Sequence, residues 1–161
     1  IRQYGGVRLE KSSASGREND VSAEKKVPAD LREMSVELPV PGILESPFGV
    51  FESKIFSYKK QKIEEKKYTK WFDYDKIKNS PCVRTRRQGD YLTVNSEGGR
   101  KKLNRIFIDE KIPAEMRDRI PVVAAGSEIL WIPGGRMNEK YKITSTTGRV
   151  LELHYQGGAL A

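Results

Sequence analysis

Residues 98–113 read GGRKKLNRIFIDEKIP, and the period of the apolar residues in this stretch decides how the rest of the chain is read. Leu103, Ile106 and Phe107 recur at i, i+3 and i+4, while Lys101, Lys102 and Arg105 fall largely on the opposite side. That spacing predicts an amphipathic helix from about Arg100 to Asp109, one face packed and one face charged. Pro113 suits the first turn of a second short helix, with Glu115 near its positive end and Pro121 stopping it.

On both sides of these helices the apolar period falls to two, the signature of strands. Cys82–Arg86 and Tyr91–Val94 read as a hairpin around Arg87-Gln88-Gly89-Asp90, with Gly89 suited to the turn. Val122–Ala124 and Glu128–Ile132 read as strands joined by Ala125-Gly126-Ser127, and Tyr141–Thr144 with Arg149–Tyr155 as a final hairpin around Thr147-Gly148. Upstream, Arg2–Leu9, Met34–Leu38 and Gly49–Tyr58 read as strands, and Pro39–Gly42 (PVPG) as a turn. Lys11–Asp30 has almost nothing to bury and reads as a polar loop. Lys59–Lys70 is a mixed-charge tract that reads as a solvated connection, before an aromatic group of Trp71, Phe72 and Tyr74 that packs as core. The fold class is therefore α+β, mainly antiparallel strands with two short helices in the C-terminal half. Asn79-Ser80-Pro81 marks the boundary region between a β-rich segment, 1–75 with a polar loop at about 11–30, and an α+β domain, 76–161.

Thirty Lys and Arg against 22 Asp and Glu give a net charge of +8 in 161 residues, which favours polyanionic partners through Coulomb attraction and counterion release. The bland alternative is a lysine surplus that only keeps the protein soluble. A single cysteine, Cys82, excludes an intrachain disulfide and a cysteine zinc cluster, and fits a reducing cytoplasm. No apolar run approaches the ~20 residues that span a bilayer, so no membrane partner is expected. The absence of an initiating Met leads us to expect a truncated larger protein.

Half of the net charge is concentrated between Arg84 and Arg117, where nine basic residues face five acidic ones. Arg84 and Arg86 alternate on a strand and so project to one face, where guanidinium forks can track phosphate oxygens. Lys101 and Lys102 sit where the helix begins, beside its free N–H groups. The competing reading for the turn is that Arg87 and Asp90 pair with each other. No catalytic residue stands out. His154 is alone and alternates with apolar strand residues, Cys82 has no histidine near it in sequence, and Asp73 with Asp75 lacks the remaining ligands of a metal site.

The order R-x-R-x-x-G-D (Arg84–Asp90), K-K-L (Lys101–Leu103), F-I-D-x-K-I-P (Phe107–Pro113), R-x-x-I-P (Arg117–Pro121) and I-L-W-I-P-G-G-R (Ile129–Arg136) strongly resembles the C-terminal substrate-binding domain of tRNA(Ile)-lysidine synthetases. The likeness covers about Phe72 to Tyr155, and Ile1–Leu9 looks like the segment preceding that domain. The resemblance implies an intact protein that is an ATP-dependent ligase, in which a separate N-terminal domain activates the wobble cytidine of an isoleucine tRNA and lysine displaces AMP. That domain's Ser-Gly-Gly-x-Asp-Ser loop is absent from this chain, so ATP with magnesium, and lysine, are implied only for the missing part. For these residues it implies a grip on the tRNA near the acceptor stem, through Arg84, Arg86, Lys101, Lys102, Arg105, Lys111 and Arg117. Gly89, Asp90, Leu103, Phe107, Pro113, Pro121 and Trp131 match the motifs as well, but turns, packing and strand burial account for them. The alternative is a free-standing RNA-binding accessory module without ligase activity; self-association into a homodimer is left open.

Overall fold

A strand that is apolar at every position needs cover on both of its faces, and Val122–Ala125 is such a strand, buried throughout. The computed structural model describes residues 32–64 and 66–157. In chain order its strands are β1 (Ser35–Glu37), β2 (Gly42–Ser46), β3 (Gly49–Ser57), β4 (Thr69–Asp73), β5 (Cys82–Arg84), β6 (Tyr91–Thr93), β7 (Arg100–Lys102), β8 (Val122–Ala125), β9 (Glu128–Trp131) and β10 (Arg149–Gly157). The helix α1 spans Leu103–Asp109, and short 3-10 helices span Tyr74–Lys76, Ala114–Arg119 and Glu139–Tyr141.

One sheet has six strands in the order β1-β5-β8-β9-β6-β7, the other four in the order β2-β3-β10-β4. All neighbours are antiparallel except β6 and β9, which run parallel through Tyr91 and Glu128. Val123 and Leu130 of the larger sheet share a buried cluster with Phe51, Phe72, Leu151 and Leu153 of the smaller. Their neighbours Val122, Ala124 and Ile129 point the other way and share a second cluster with Leu103, Ile106 and Phe107 of α1. The six-stranded sheet is thus a middle layer between the four-stranded sheet and the helix.

The packed face of α1 is the one read from its periodicity, but the helix is shorter than expected. Arg100–Lys102 is a strand: its register sets Arg100, Lys101 and Lys102 opposite Thr93, Leu92 and Tyr91. Lys102 keeps an extended backbone as the residue before the helix. The segment after Pro113 is a 3-10 helix, not an α-helix.

Two expected hairpins are replaced by long-range pairing. β5 lies between β1 and β8, and β6 between β9 and β7, so the strands flanking Gly89 do not pair with each other. Residues 139–141 are a 3-10 turn, and β10 pairs with β3 on one side and β4 on the other. The described parts of the segments 1–75 and 76–161 exchange strands: β1 belongs to the larger sheet and β10 to the smaller. The expected strand at Arg2–Leu9 and the loop at 11–30 lie outside the described residues. In the PVPG turn the Val40–Pro41 peptide is cis, and Gly42 has φ 156° where a Cβ would come within 3.0 Å of Pro39. Lys59–Lys70 is mostly exposed, as its composition suggested. No helix among the described residues is long and apolar enough to cross a membrane.

Candidate nucleic-acid interface

Arg84 is the first of the seven basic residues read as phosphate contacts, and it is not available for that role. Its side chain is 3% exposed, and both Nη groups donate to Asp90 at 2.9 Å. Nη1 also donates to the Thr85 carbonyl at 2.9 Å and Nη2 to the Gly126 carbonyl at 2.8 Å. Burial opposes the charge, but the hydrogen bonds and field of Asp90 more than offset it and hold the guanidinium pKa above its ordinary value. β5 ends at Arg84, so the alternation that would have put Arg84 and Arg86 on one outward face stops there.

Asp90 also accepts the Arg87 backbone N–H at 2.7 Å, while its own carbonyl accepts the N–H of Leu103, the first residue of α1. The turn at Gly89, which has φ 93°, is therefore held through Asp90, but by Arg84 and a backbone amide and not by the Arg87 guanidinium. This buried pair ties β5, the start of α1 and the β8–β9 turn together.

The other six residues lie around α1. Arg86 donates from Nε to Asp118 at 2.9 Å and from Nη1 to the Asn104 side-chain oxygen at 3.0 Å. On the far side of the outward helix face, Lys101 reaches Asp109 at 2.9 Å and Arg105 reaches the same carboxylate at 3.2 Å. Lys101's hydrogen bond, then the charges of Lys101, Arg105 and Arg136, hold Asp109 below the usual carboxylate range, which marks a locally positive field. These pairs are solvent-exposed, so they are weak and salt-screened, and their cations can exchange a carboxylate for a phosphate. Lys102 and Lys111 are exposed with no partner among the described residues.

The end of α1 explains how Lys111 is presented. Its N–H bonds the Ile108 carbonyl and that of Ile112 bonds the Phe107 carbonyl, both at 2.9 Å, the two bonds of a Schellman cap. Such a cap places one residue in the left-handed region, normally Gly, yet Lys111 occupies it at φ 61°. Arg117 then donates from Nε to the Ile112 carbonyl at 2.9 Å and stabilises the loop. We expect Lys111→Gly to raise stability by about 0.5–1 kcal/mol, because glycine adopts this backbone without the Cβ clash; a urea or thermal midpoint that falls would show the position to be unstrained.

Sequence reasoning missed Asn104, Asp118 and Arg136. Asn104 and Asp118 are invisible to a search for cations, and Arg136 lies beyond the basic cluster, at the end of the Gly-Gly-Arg motif. Arg136 also lines a cleft of about 700 Å³ with Lys70, Trp71 and Lys142. Glu64, Glu110 and Glu139 line the same cleft, so it does not extend the positive surface. His154 lies on β10 and shares a 2.7 Å hydrogen bond with the Thr69 hydroxyl. Asp73 accepts from Thr147 and Asp75 from Arg149. No cluster of metal-ligating side chains occurs among the described residues.

Comparison with known proteins follows the same residues. The family model described as the TilS substrate C-terminal domain matches residues 82–153. The tRNA(Ile)-lysidine synthase of Caldanaerobacter subterraneus subsp. tengcongensis is 38% identical over 139 residues, covering 85% of this chain and 30% of that protein. That of Clostridium perfringens is 33% identical over 159 residues, 98% of this chain and 33% of that protein. A crystal structure of a TilS C-terminal domain superposes with a TM-score of 0.64 at 34% identity, covering 77% of this chain and 96% of that one. The chain belongs to the tRNA(Ile)-lysidine synthase family, as its C-terminal substrate domain. It spans about a third of the length of these curated relatives.

Proposed function

We propose that this chain is the tRNA-binding C-terminal part of a cytoplasmic tRNA(Ile)-lysidine synthetase, and that the whole enzyme ligates lysine to the wobble cytidine of an isoleucine tRNA using ATP with magnesium. In this reading the fragment alone holds RNA and does no chemistry, and the region it holds is the acceptor stem. The observation that carries the proposal is the arrangement of Arg86, Lys101, Lys102, Arg105, Lys111 and Arg117 around one short, rigidly packed helix. Among the described residues Tyr68 is the one large aromatic side chain left exposed. Cations without a row of exposed aromatics suit a duplex read through phosphates and shape, not single-stranded bases read by stacking. The greater length of the relatives supports an attached catalytic part over a free-standing module; an ATP-binding loop upstream in the encoded protein is the discriminating observation.

Lys101→Ala with Lys102→Ala tests the interface. Both lie on β7 and neither belongs to the buried cluster of Leu103 and Phe107, so the fold should survive. Affinity for tRNA in a filter assay should fall, and the slope of log affinity against log salt should drop by about one to two. Binding with an unchanged slope would remove these lysines from the interface.

A further inference from the structure

Arg86 differs from the other cations of the surface in how firmly it is held. The end of β5, helix α1 and the 3-10 helix Ala114–Arg119 converge on its guanidinium, whose side chain is 25% exposed. Asp118 fixes Nε at 2.9 Å and Asn104 fixes Nη1 at 3.0 Å. Nη2 has no partner among the described residues. Because the Asn104 oxygen accepts from Arg86, its amide NH2 is left as a donor, and it too has no partner among the described residues. Two adjacent groups therefore carry uncommitted N–H donors, and both are braced by bonds to their neighbours.

We propose that Arg86 and Asn104 form a preorganised site for one phosphodiester group of the bound RNA, and that Asp118 is its positioning residue. This rests on the tRNA-binding reading and deepens it, because it assigns a favourable role to an acidic side chain on a surface meant for a polyanion. Charge alone gives the opposite sign: removing a carboxylate from a phosphate-binding face should strengthen binding. Held by Asp118, however, the guanidinium spends no rotamer freedom when the phosphate arrives, and that gain outweighs the repulsion. Glu115 provides the contrast. It lies on the same 3-10 helix, exposed and without a partner among the described residues, so its carboxylate acts by charge only.

The test measures affinity of this chain for an isoleucine tRNA transcript at two salt concentrations, with melting curves for each variant. Asp118→Ala should weaken binding about three- to tenfold, the scale of one typical net hydrogen bond, while Glu115→Ala leaves affinity equal or tighter. Asp118→Asn retains an acceptor for Nε and should recover most of the loss. Arg86→Ala should be no weaker when Asp118→Ala is added, since the carboxylate acts only through the guanidinium. Asn104→Ala, an exposed helix position where alanine is favoured, should weaken binding too and serves if Asp118→Ala does not fold. Equal or tighter binding by both Asp118→Ala and Asn104→Ala overturns the site and leaves Asp118 as a structural tie. If Lys101→Ala with Lys102→Ala weakens binding in that same series, the tRNA-binding reading survives alone. A wild-type chain with no salt-dependent binding overturns both.

Discussion

Asp90→Ala should destabilise the chain by about 3–5 kcal/mol, the usual result of removing one partner of a buried ion pair. Arg84 would be left 3% exposed with two guanidinium bonds to backbone carbonyls and no counter-charge. The Arg87 amide would lose its acceptor as well. For a chain of this size the loss corresponds to a melting temperature lower by roughly 6–20 °C. The coupling can be separated from the individual costs: Arg84→Met alone should also be severe, but the double variant should be far less damaging than the two losses added. A melting temperature within a degree or two of wild type for Asp90→Ala would mean that Arg84 finds water or another acceptor, and that the pair is not what organises the turn.

Phe107→Ala is the second large effect, expected at about 3–5 kcal/mol for a buried aromatic side chain reduced to a methyl group. Phe107 is 1% exposed among Leu92, Leu103, Ile106 and Val122. A seven-residue helix is not stable by itself in water, so α1 depends on this contact with the middle sheet. On the proposed tRNA-binding function the loss should also weaken tRNA binding, even though the ring is buried, because Asn104, Arg105 and Asp109 ride on the same helix. Unchanged stability would place the packed face of α1 elsewhere.

The face of α1 was legible because Leu103, Ile106 and Phe107 carry a local period. So were β3, β8 and β9, whose β-branched and aromatic runs lie between turn residues. What decides β7 is not local. Arg100, Lys101 and Lys102 have no alternation of their own, and they are extended because β6 offers its edge to them. The partners of β10 lie far back in the sequence, and no neighbouring residue announces them. A hairpin with the nearest strand-like segment was the economical reading, and the structure sets it aside.

The site divides in the same way. Cations near α1 could be found by counting charge, but counting could not tell Arg84 from Arg86. Two positions apart in one motif, they differ because Asp90 and the Gly126 carbonyl enclose the first, whereas Asp118 and Asn104 hold the second nearer the surface. An arginine's fate is set by which acceptors tertiary folding brings to it.

Sheet completion has a consequence for synthesis. β3 and β4 leave the ribosome long before β10, yet β10 must slot between them to form the smaller sheet. Until Arg149–Gly157 emerges, the nascent chain carries two unsatisfied strand edges and an uncovered Phe51 and Phe72, the features that recruit chaperones and proteases. A message cut short before that strand would thus yield a polypeptide that already contains the whole basic surface around α1 but cannot complete its smaller sheet.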